Sequence, residues 1–303
     1  MTIAPETILA ALNRGGAELK AAWIGQYFAV EQSPKLDAQV LMCAALGYTS
    51  AQLFSHGNEA LVPEALVRFT DMLERRKKRE PIAYILGQKE FYGRTFTVSK
   101  YTLIPRPETE IIIDEVKKIL TCDDVVLDIG TGSGAIAITC ASEGAEGVIA
   151  TDVSKEALKI AKRNAEQLSV ADKIMFLHGN LAAPIIQAWP HLFPKTAPQH
   201  LIVCANLPYL SKNQCDALDA DVKFEPLNAL LGGTDGLTLY KDLFSQLASA
   251  KNRLPQKITV LCEIDPSQKE KLTQAVREFF PKAEIGIVND LAKHPRVLIA
   301  TLR

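Results

Sequence analysis

Apolar positions change rhythm along this chain. Up to about Arg79 they recur at helical spacing, as in Leu36, Val40, Leu41, Ala44 and Leu46, then Leu66, Phe69 and Leu73. That spacing predicts helices with one buried face. Pro34, Gly47 and Pro63 mark the breaks between them. From Ile82 to Val98 aromatic and β-branched residues alternate around Gly87 and Gly93, the pattern of a hairpin. From Val125 onward short apolar runs at 125–130, 147–153, 173–178, 201–206 and 257–264 predict strands, and Lys155–Leu168, Leu237–Leu254 and Gln268–Phe280 predict helices. Glu284–Val288 and Val297–Leu302 close the chain as a final hairpin. Strands that alternate with helices make an α/β protein with a doubly wound, mostly parallel, Rossmann-like sheet. The expected division is a helical domain over 1–80 and an α/β domain over 81–303, with residues 81–100 as the linking hairpin. No internal repeat or low-complexity tract interrupts this plan.

Two of the expected strand ends carry acids. The run Val125-Val126-Leu127-Asp128-Ile129 leads into Gly130-Thr131-Gly132-Ser133-Gly134 and then the small apolar stretch from Ala135 to Ile138. Strand, glycine turn and helix start form a seat in which the backbone can approach a ligand closely. Gly130, Gly132 and Ala135 also satisfy the looser dinucleotide fingerprint, so a NAD site competes with this reading, as does a bare structural turn. Asp128 argues against NAD: a carboxylate at the strand tip repels a pyrophosphate but attracts the ammonium of an amino-acid-like cofactor such as S-adenosylmethionine. Asp152 ends the next strand, followed by Val153, and is placed for ribose hydroxyls.

A third strand end, after Leu201–Ala205, presents Asn206-Leu207-Pro208-Tyr209. The asparagine oxygen and the Leu207 carbonyl can each accept one hydrogen of an NH2 group, Pro208 stiffens the backbone, and Tyr209 offers a ring face. An ordinary strand-to-turn exit is the bland alternative. Read as chemistry, that set of groups can hold a planar nitrogen.

Together, Asp-x-Gly-x-Gly-x-Gly at 128–134, Asp152 and Asn-x-Pro-Tyr at 206–209 resemble the class I S-adenosylmethionine-dependent methyltransferases that modify exocyclic or amide nitrogens. Pro81–Gly87, Glu90-Phe91-Tyr92-Gly93, Leu103-Ile104-Pro105-Arg106-Pro107-Glu108-Thr109-Glu110 and Glu225-Pro226 through Leu237 are similar to the HemK-type peptide chain release factor glutamine methyltransferases, and Leu36–Met42 resembles that family's amino-terminal domain. The resemblance implies a class I sheet whose last strand inserts antiparallel and a helical amino-terminal domain that recognises the substrate. It implies S-adenosyl-L-methionine as donor, held by Asp128, Gly130, Thr131, Gly132, Gly134, Asp152, Val153, Asn180, Leu181 and Asn206, with Arg106 and Pro107 also lining the donor site. It implies Asn206, Pro208 and Tyr209 as catalytic residues, and Phe91 with Asn206, Leu207, Pro208 and Tyr209 as the acceptor site. For Arg106 and Glu108 a structural salt bridge is the competing reading, for Phe91 core packing, and for Glu225-Pro226 a helix cap.

The chain departs from the family pattern in two places. Leu207 stands where the family usually has a first proline, which keeps the carbonyl acceptor and makes the motif look like that of ribosomal RNA adenine dimethyltransferases. Asn180 stands where an aspartate is common, so an adenine amino group meets a neutral acceptor. Pro184–Pro198, rich in proline and aromatics, is atypical of the family, and Trp189 and Phe193 within it read as packing anchors.

The 303 residues are 48% hydrophobic and 23% charged with a net charge of −1, a globular composition without the basic excess of a nucleic-acid binder. Six cysteines without a CxxC pair and five histidines without ligand spacing favour neither a disulfide framework nor a metal site. Arg75-Arg76-Lys77-Lys78-Arg79 reads as the solvated end of a helix, with RNA contact as the sharper alternative. Met1–Glu6 shows no basic region leading into an apolar stretch, which points to the cytoplasm. The expected partner is a release factor, with no metal, no membrane, no stable nucleic-acid binding, and a monomeric enzyme. Other glutamine-bearing proteins such as ribosomal proteins, nucleic-acid adenine, and a non-catalytic cofactor-binding module remain as alternatives.

Overall fold

The computed structural model describes residues 6–24, 33–193 and 198–302. Residues 1–5 of the amino terminus and 194–197 of the proline-rich stretch lie outside the described residues. By compactness the chain forms two units: Met1–Gly87 with Leu218–Phe224, and Gln88–Ala217 with Glu225–Arg303.

The first unit holds helices α1 (Ile8–Ala22), α2 (Pro34–Leu46), α3 (Ser50–Ser55), α4 (Pro63–Lys77) and α5 (Ile82–Leu86). Their starts are written locally. Thr7, Ser33 and Thr49 accept from backbone amides as N-caps, and Pro34 and Pro63 open their helices. Gly47 ends α2 at φ 71°. The buried face of α2 is Ala38, Leu41, Met42 and Ala45, whereas Leu36 and Ala44 face solvent. The expected helix is present, but its core stripe is rotated, because an alanine-rich helix offers apolar residues on more than one side. In α4, Ala65, Phe69 and Leu73 are buried.

Two expectations fail in this unit. Residues 82–86 are a short helix closed by Gly87 at φ 71°, so the hairpin starts only at Gln88. The basic run is also not solvated as a whole, since Arg76 and Arg79 are buried. Arg76 pairs with Asp37 and Asp221, Arg79 with Asp221, Arg75 with Glu80, and Lys77 with Glu18 and Glu74. Trp23 lies against both buried guanidiniums, at 4.7 and 4.9 Å. Acids distant in sequence, Glu18, Asp37 and Asp221, neutralise part of this cluster, which a local charge count cannot reveal.

The second unit begins with the hairpin β1 (Gln88–Phe91) and β2 (Arg94–Thr97). Its two turn residues, Tyr92 and Gly93, have φ of 50° and 69°, as a twist-matched two-residue turn requires. There follow α6 (Glu110–Ile119), β3 (Val125–Ile129), α7 (Ala135–Ser142), β4 (Gly147–Asp152), α8 (Lys155–Gln167), β5 (Ile174–His178), α9 (Ala183–Leu192) and β6 (His200–Ala205). Then come α10 (Lys212–Asp216), α11 (Thr238–Ser249), β7 (Lys257–Glu263), α12 (Lys269–Phe279), β8 (Glu284–Asn289) and β9 (Pro295–Leu302). The sheet order is β5-β4-β3-β6-β7-β9-β8. Strands β5 to β7 of this order run parallel, and β9 lies antiparallel to both β7 and β8.

Every residue of β3 and β6 is buried, since a parallel sheet carries helices on both faces. That is why these strands read as unbroken apolar runs. In α9 Trp189 is buried against Phe193, ring centroids 4.6 Å apart, so both act as packing anchors. The chain leaves β3 towards β4 on one side and returns to β6 on the other. The crevice at this reversal is where open α/β sheets bind ligands, and the tips of β3, β4 and β6 deliver Gly130, Asp152 and Asn206 to it.

Candidate active site

The turn after β3 is built from three left-handed glycines, Gly130, Gly132 and Gly134, at φ 71°, 57° and 85°. At Gly134 an added Cβ would sit 2.6 Å from Ile138 Cδ1 and 3.2 Å from Ala161 Cβ, so glycine is required by both conformation and space. The turn is pinned by Thr151, whose carbonyl accepts from the amides of Gly130 and Thr131 at 2.9 Å each. Asp152 completes the bracing: Oδ2 accepts from the Gly132 amide at 2.9 Å and Oδ1 from the Ser154 amide at 2.8 Å. Burial holds the Asp152 carboxyl above its ordinary range, against the pull of these amides.

A cavity of about 340 Å³ opens at this point, within the size of small-molecule sites. Gly130, Gly132, Asp152, Val153, Asn180, Leu181, Asn206, Leu207 and Pro208 all line it. The sheet thus gathers residues from four separate stretches of sequence. Leu181 holds φ 51°, and its carbonyl accepts from Thr151 Oγ1 at 3.0 Å, so Asn180 is presented by a strained, tethered turn. Tyr101, Leu103, Asn228 and Leu231 also line the cavity and were missed from sequence. The available signal was the family-like blocks themselves: Leu103 opens one, Asn228 and Leu231 fall within the stretch from Glu225 to Leu237, and Tyr101 lies two residues before the first.

Asn206 is fixed from behind. Its Nδ2 donates to Thr109 Oγ1 at 3.0 Å, and Thr109 Oγ1 donates to Glu263 Oε2 at 2.6 Å. Among the described residues neither Asn206 Oδ1 nor the Leu207 carbonyl accepts a hydrogen bond. Two acceptors therefore remain open beside the cavity. Burial pushes the Glu263 carboxyl up to about 7, with Thr109 opposing the shift.

Other expected site residues lie elsewhere. Phe91 is buried in the core, edge-on to Phe96 at 6.0 Å, because the hairpin turns that side of β1 inward. Arg106 and Pro107 do not line the cavity; Arg106 pairs with the buried Glu225, which also accepts from the Ile104 amide at 3.0 Å. Glu225 thereby holds the segment that carries Tyr101 and Leu103, and is not a helix cap. Asp128 is buried beneath the turn, where Oδ2 accepts from Thr131 Oγ1 at 2.6 Å and the Ala137 amide at 3.1 Å. It supports the glycines from below, and Thr131 and Gly134 likewise shape the turn without lining the cavity. Burial pushes Asp128 up to about 7, and its Oδ1 has no hydrogen-bond partner among the described residues. Tyr209 is half-buried against the core and does not line the cavity; its hydroxyl is pushed up by burial and by Glu263.

A nucleoside carrying an amino-acid arm fits this site on structural grounds: a cradle of left-handed glycines, an acid at the tip of β4 and a neutral acceptor at Asn180. Among the described residues no group of three or more His, Cys, Asp and Glu could hold a metal ion, and no helix is long and apolar enough to cross a membrane.

A seven-stranded sheet with an antiparallel β9, a glycine turn after β3, an acid after β4 and Asn-Leu-Pro-Tyr after β6 defines a class I methyltransferase. Its fold is shared with the crystal structure of the hMettl16 catalytic domain in complex with MAT2A 3′UTR hairpin 1, at TM-score 0.54 and 17% identity over 81% of this chain and 83% of that one. The family model of the PrmC N-terminal domain matches residues 10–87, and that of ribosomal protein L11 methyltransferase matches residues 106–206. The release factor glutamine methyltransferase of Bacillus subtilis (strain 168) is 33% identical over 288 residues, covering 92% of this chain and 96% of that protein. The protein of the same name from Rhodopirellula baltica is also 33% identical over 288 residues, covering 91% and 93%. The chain belongs to the release factor glutamine methyltransferase family.

Proposed function

We propose that this protein transfers a methyl group from S-adenosyl-L-methionine to the side-chain amide nitrogen of the glutamine in the Gly-Gly-Gln tripeptide of peptide chain release factors, leaving S-adenosyl-L-homocysteine. The observation that carries the reading is the open pair of acceptors, Asn206 Oδ1 and the Leu207 carbonyl, beside a cavity whose glycine turn and Asp152 suit a nucleoside. The cofactor supplies an electrophilic methyl group when bound. Gly130 and Gly132 give its amino-acid arm close backbone approach, Asp152 takes the ribose hydroxyls, and Asn180 accepts from the adenine amino group.

An amide nitrogen is a poor nucleophile because its lone pair is delocalised into the carbonyl. Asn206 Oδ1 and the Leu207 carbonyl each accept one of its hydrogens, which raises electron density at nitrogen and directs the lone pair at the methyl. No side chain has to remove a proton before attack, since the methylated product loses it readily. Leu207 and Pro208 wall the acceptor from water, and glycines beside the target glutamine let its backbone enter a narrow slot. So short a loop buries too little surface to bind well alone, and the helical unit provides a second contact with the folded release factor. The protein acts as a monomer in the cytoplasm without stable nucleic-acid binding.

The test offers labelled S-adenosylmethionine with release factor, ribosomal protein and RNA side by side and locates the methyl by mass spectrometry. Methyl on the Gly-Gly-Gln glutamine is expected, whereas methyl on ribosomal protein or adenine would replace the assignment. Asn206→Ala should lower turnover ~100-fold or more with little change in cofactor affinity. Near-normal turnover in that variant would refute the activation mechanism.

A further inference from the structure

Asn206 can serve as an acceptor only if its oxygen, and not its nitrogen, faces the substrate. The two ends of a side-chain amide have the same shape, so packing alone does not choose between them. Hydrogen bonding does. Thr109 Oγ1 carries one hydrogen and lies 2.6 Å from Glu263 Oε2 and 3.0 Å from Asn206 Nδ2. A carboxylate can only accept, so the threonine hydrogen goes to Glu263. The hydroxyl then offers Asn206 nothing but a lone pair, which only the NH2 end of the amide can use. Thr109 and Glu263 are both buried, while Asn206 is partly exposed at the cavity wall.

We propose that Thr109 and Glu263 are positioning residues for methyl transfer, a two-step relay that turns the Asn206 oxygen towards the acceptor nitrogen. The proposal rests on the glutamine-methylation reading above. The backbone holds the ends of the relay rigidly: Thr109 opens onto α6, and Glu263 ends β7, beside β6 in the sheet. The Glu263 carbonyl also accepts from the Tyr240 hydroxyl, which fixes the backbone that carries the acid.

The relay has a polarity that can be reversed. If Glu263 takes up a proton on Oε2, the oxygen that faces Thr109, that oxygen becomes a donor to Thr109, the threonine hydrogen is free to turn to Asn206, and the amide then presents its oxygen inward. The acceptor nitrogen of the substrate would then face an NH2 group. The charged and titratable groups acting on Glu263 are Arg106, Glu108 and Arg296, with Tyr209 and Tyr240 also facing it. The two arginines favour the ionised form and Glu108 opposes it. The carboxyl, held at about 7 by burial, is thus poised to lose the productive orientation as pH falls through neutrality.

The experiment measures kcat and KM on full-length protein with intact release factor, from pH 5.5 to 9, for wild type, Thr109→Val, Thr109→Ser and Glu263→Gln, with cofactor affinity by calorimetry. Valine keeps the volume of threonine but cannot accept from Asn206, so kcat should fall on the order of 100-fold while cofactor affinity holds within about twofold. Serine restores the acceptor and should recover kcat to within about threefold of wild type. Wild type should lose kcat below about pH 7, and Glu263→Gln, which does not titrate, should lose that acid limb whatever its absolute rate. Equal kcat in the valine and serine variants, or an unchanged acid limb in Glu263→Gln, would overturn the relay. If Thr109→Val fails to fold, the serine variant and the Glu263→Gln pH profile still decide. Absence of glutamine methylation by wild type would instead defeat the functional reading itself.

Discussion

Replacing Asp152 by asparagine tests the donor site, because this carboxylate does two jobs. Both oxygens accept from backbone amides, Gly132 at 2.9 Å and Ser154 at 2.8 Å, while the residue also faces the cavity. Asparagine is nearly isosteric yet offers one acceptor oxygen, so its NH2 must point at one of the two N–H groups. Leaving a largely buried amide unpaired costs about 1–3 kcal/mol of folding stability, which for a unit of this size lowers Tm by roughly 2–12 °C. A separate loss is expected in binding, since in the proposed donor site the ribose hydroxyls would give up a charged acceptor. That loss is worth about 1–3 kcal/mol, or roughly 5-fold to 150-fold in Kd. Calorimetric titration with S-adenosylmethionine reads the second effect, and a melting curve without cofactor reads the first. Both should appear together in Asp152→Asn, and Asp152→Ala should weaken binding by a similar amount. A variant that melts lower but binds normally would confine Asp152 to bracing the turn and place the ribose elsewhere.

The remaining predictions concern the turn and its supports. Gly134→Ala should destabilise the protein by about 2 kcal/mol or more, given φ 85° and a Cβ placed 2.6 Å from Ile138 Cδ1; a Tm within 1–2 °C of wild type, on the order of what a surface substitution gives, would contradict it. Asp128 has a folded pKa raised from 3.8 to about 7, so the folded state binds the extra proton and this group's contribution to stability falls as pH rises through that window, by up to about 4 kcal/mol. The melting temperature of Asp128→Asn relative to wild type should therefore increase between pH 5 and 8, and a constant difference would show that Asp128 does not titrate there. Leu207→Pro gives up an amide that reaches Tyr240 Oη only at 3.4 Å and part of a buried side chain, so it should cost about 1–2 kcal/mol of stability and leave turnover within about threefold. Loss of methylation in that variant, measured on intact release factor, would mean that the leucine side chain has a role in catalysis.

The reach of an interaction along the chain separates what could be read from the sequence from what could not. The sequence by itself determined the α/β architecture, because strands buried on both faces must be continuously apolar, as Val125–Ile129 and Leu201–Ala205 are. It also determined the glycine turn, Asp152 and the Asn-Leu-Pro-Tyr exit, each a local motif at a strand tip. Only the tertiary structure decided the rest. Phe91 belongs to the core because of the side of β1 on which it falls, and Arg106 is turned to Glu225, 119 residues away. The basic run at 75–79 is neutralised in part by Asp37 and Asp221, which no window of sequence joins to it. Most of all, the orientation of Asn206 rests on Thr109, 97 residues before it, and on Glu263, 154 residues beyond Thr109. Periodicity and spacing report which face a residue takes and what its near neighbours can do. A hydrogen bond that closes across the sheet depends on strand order and register, and these exist only once the chain has folded.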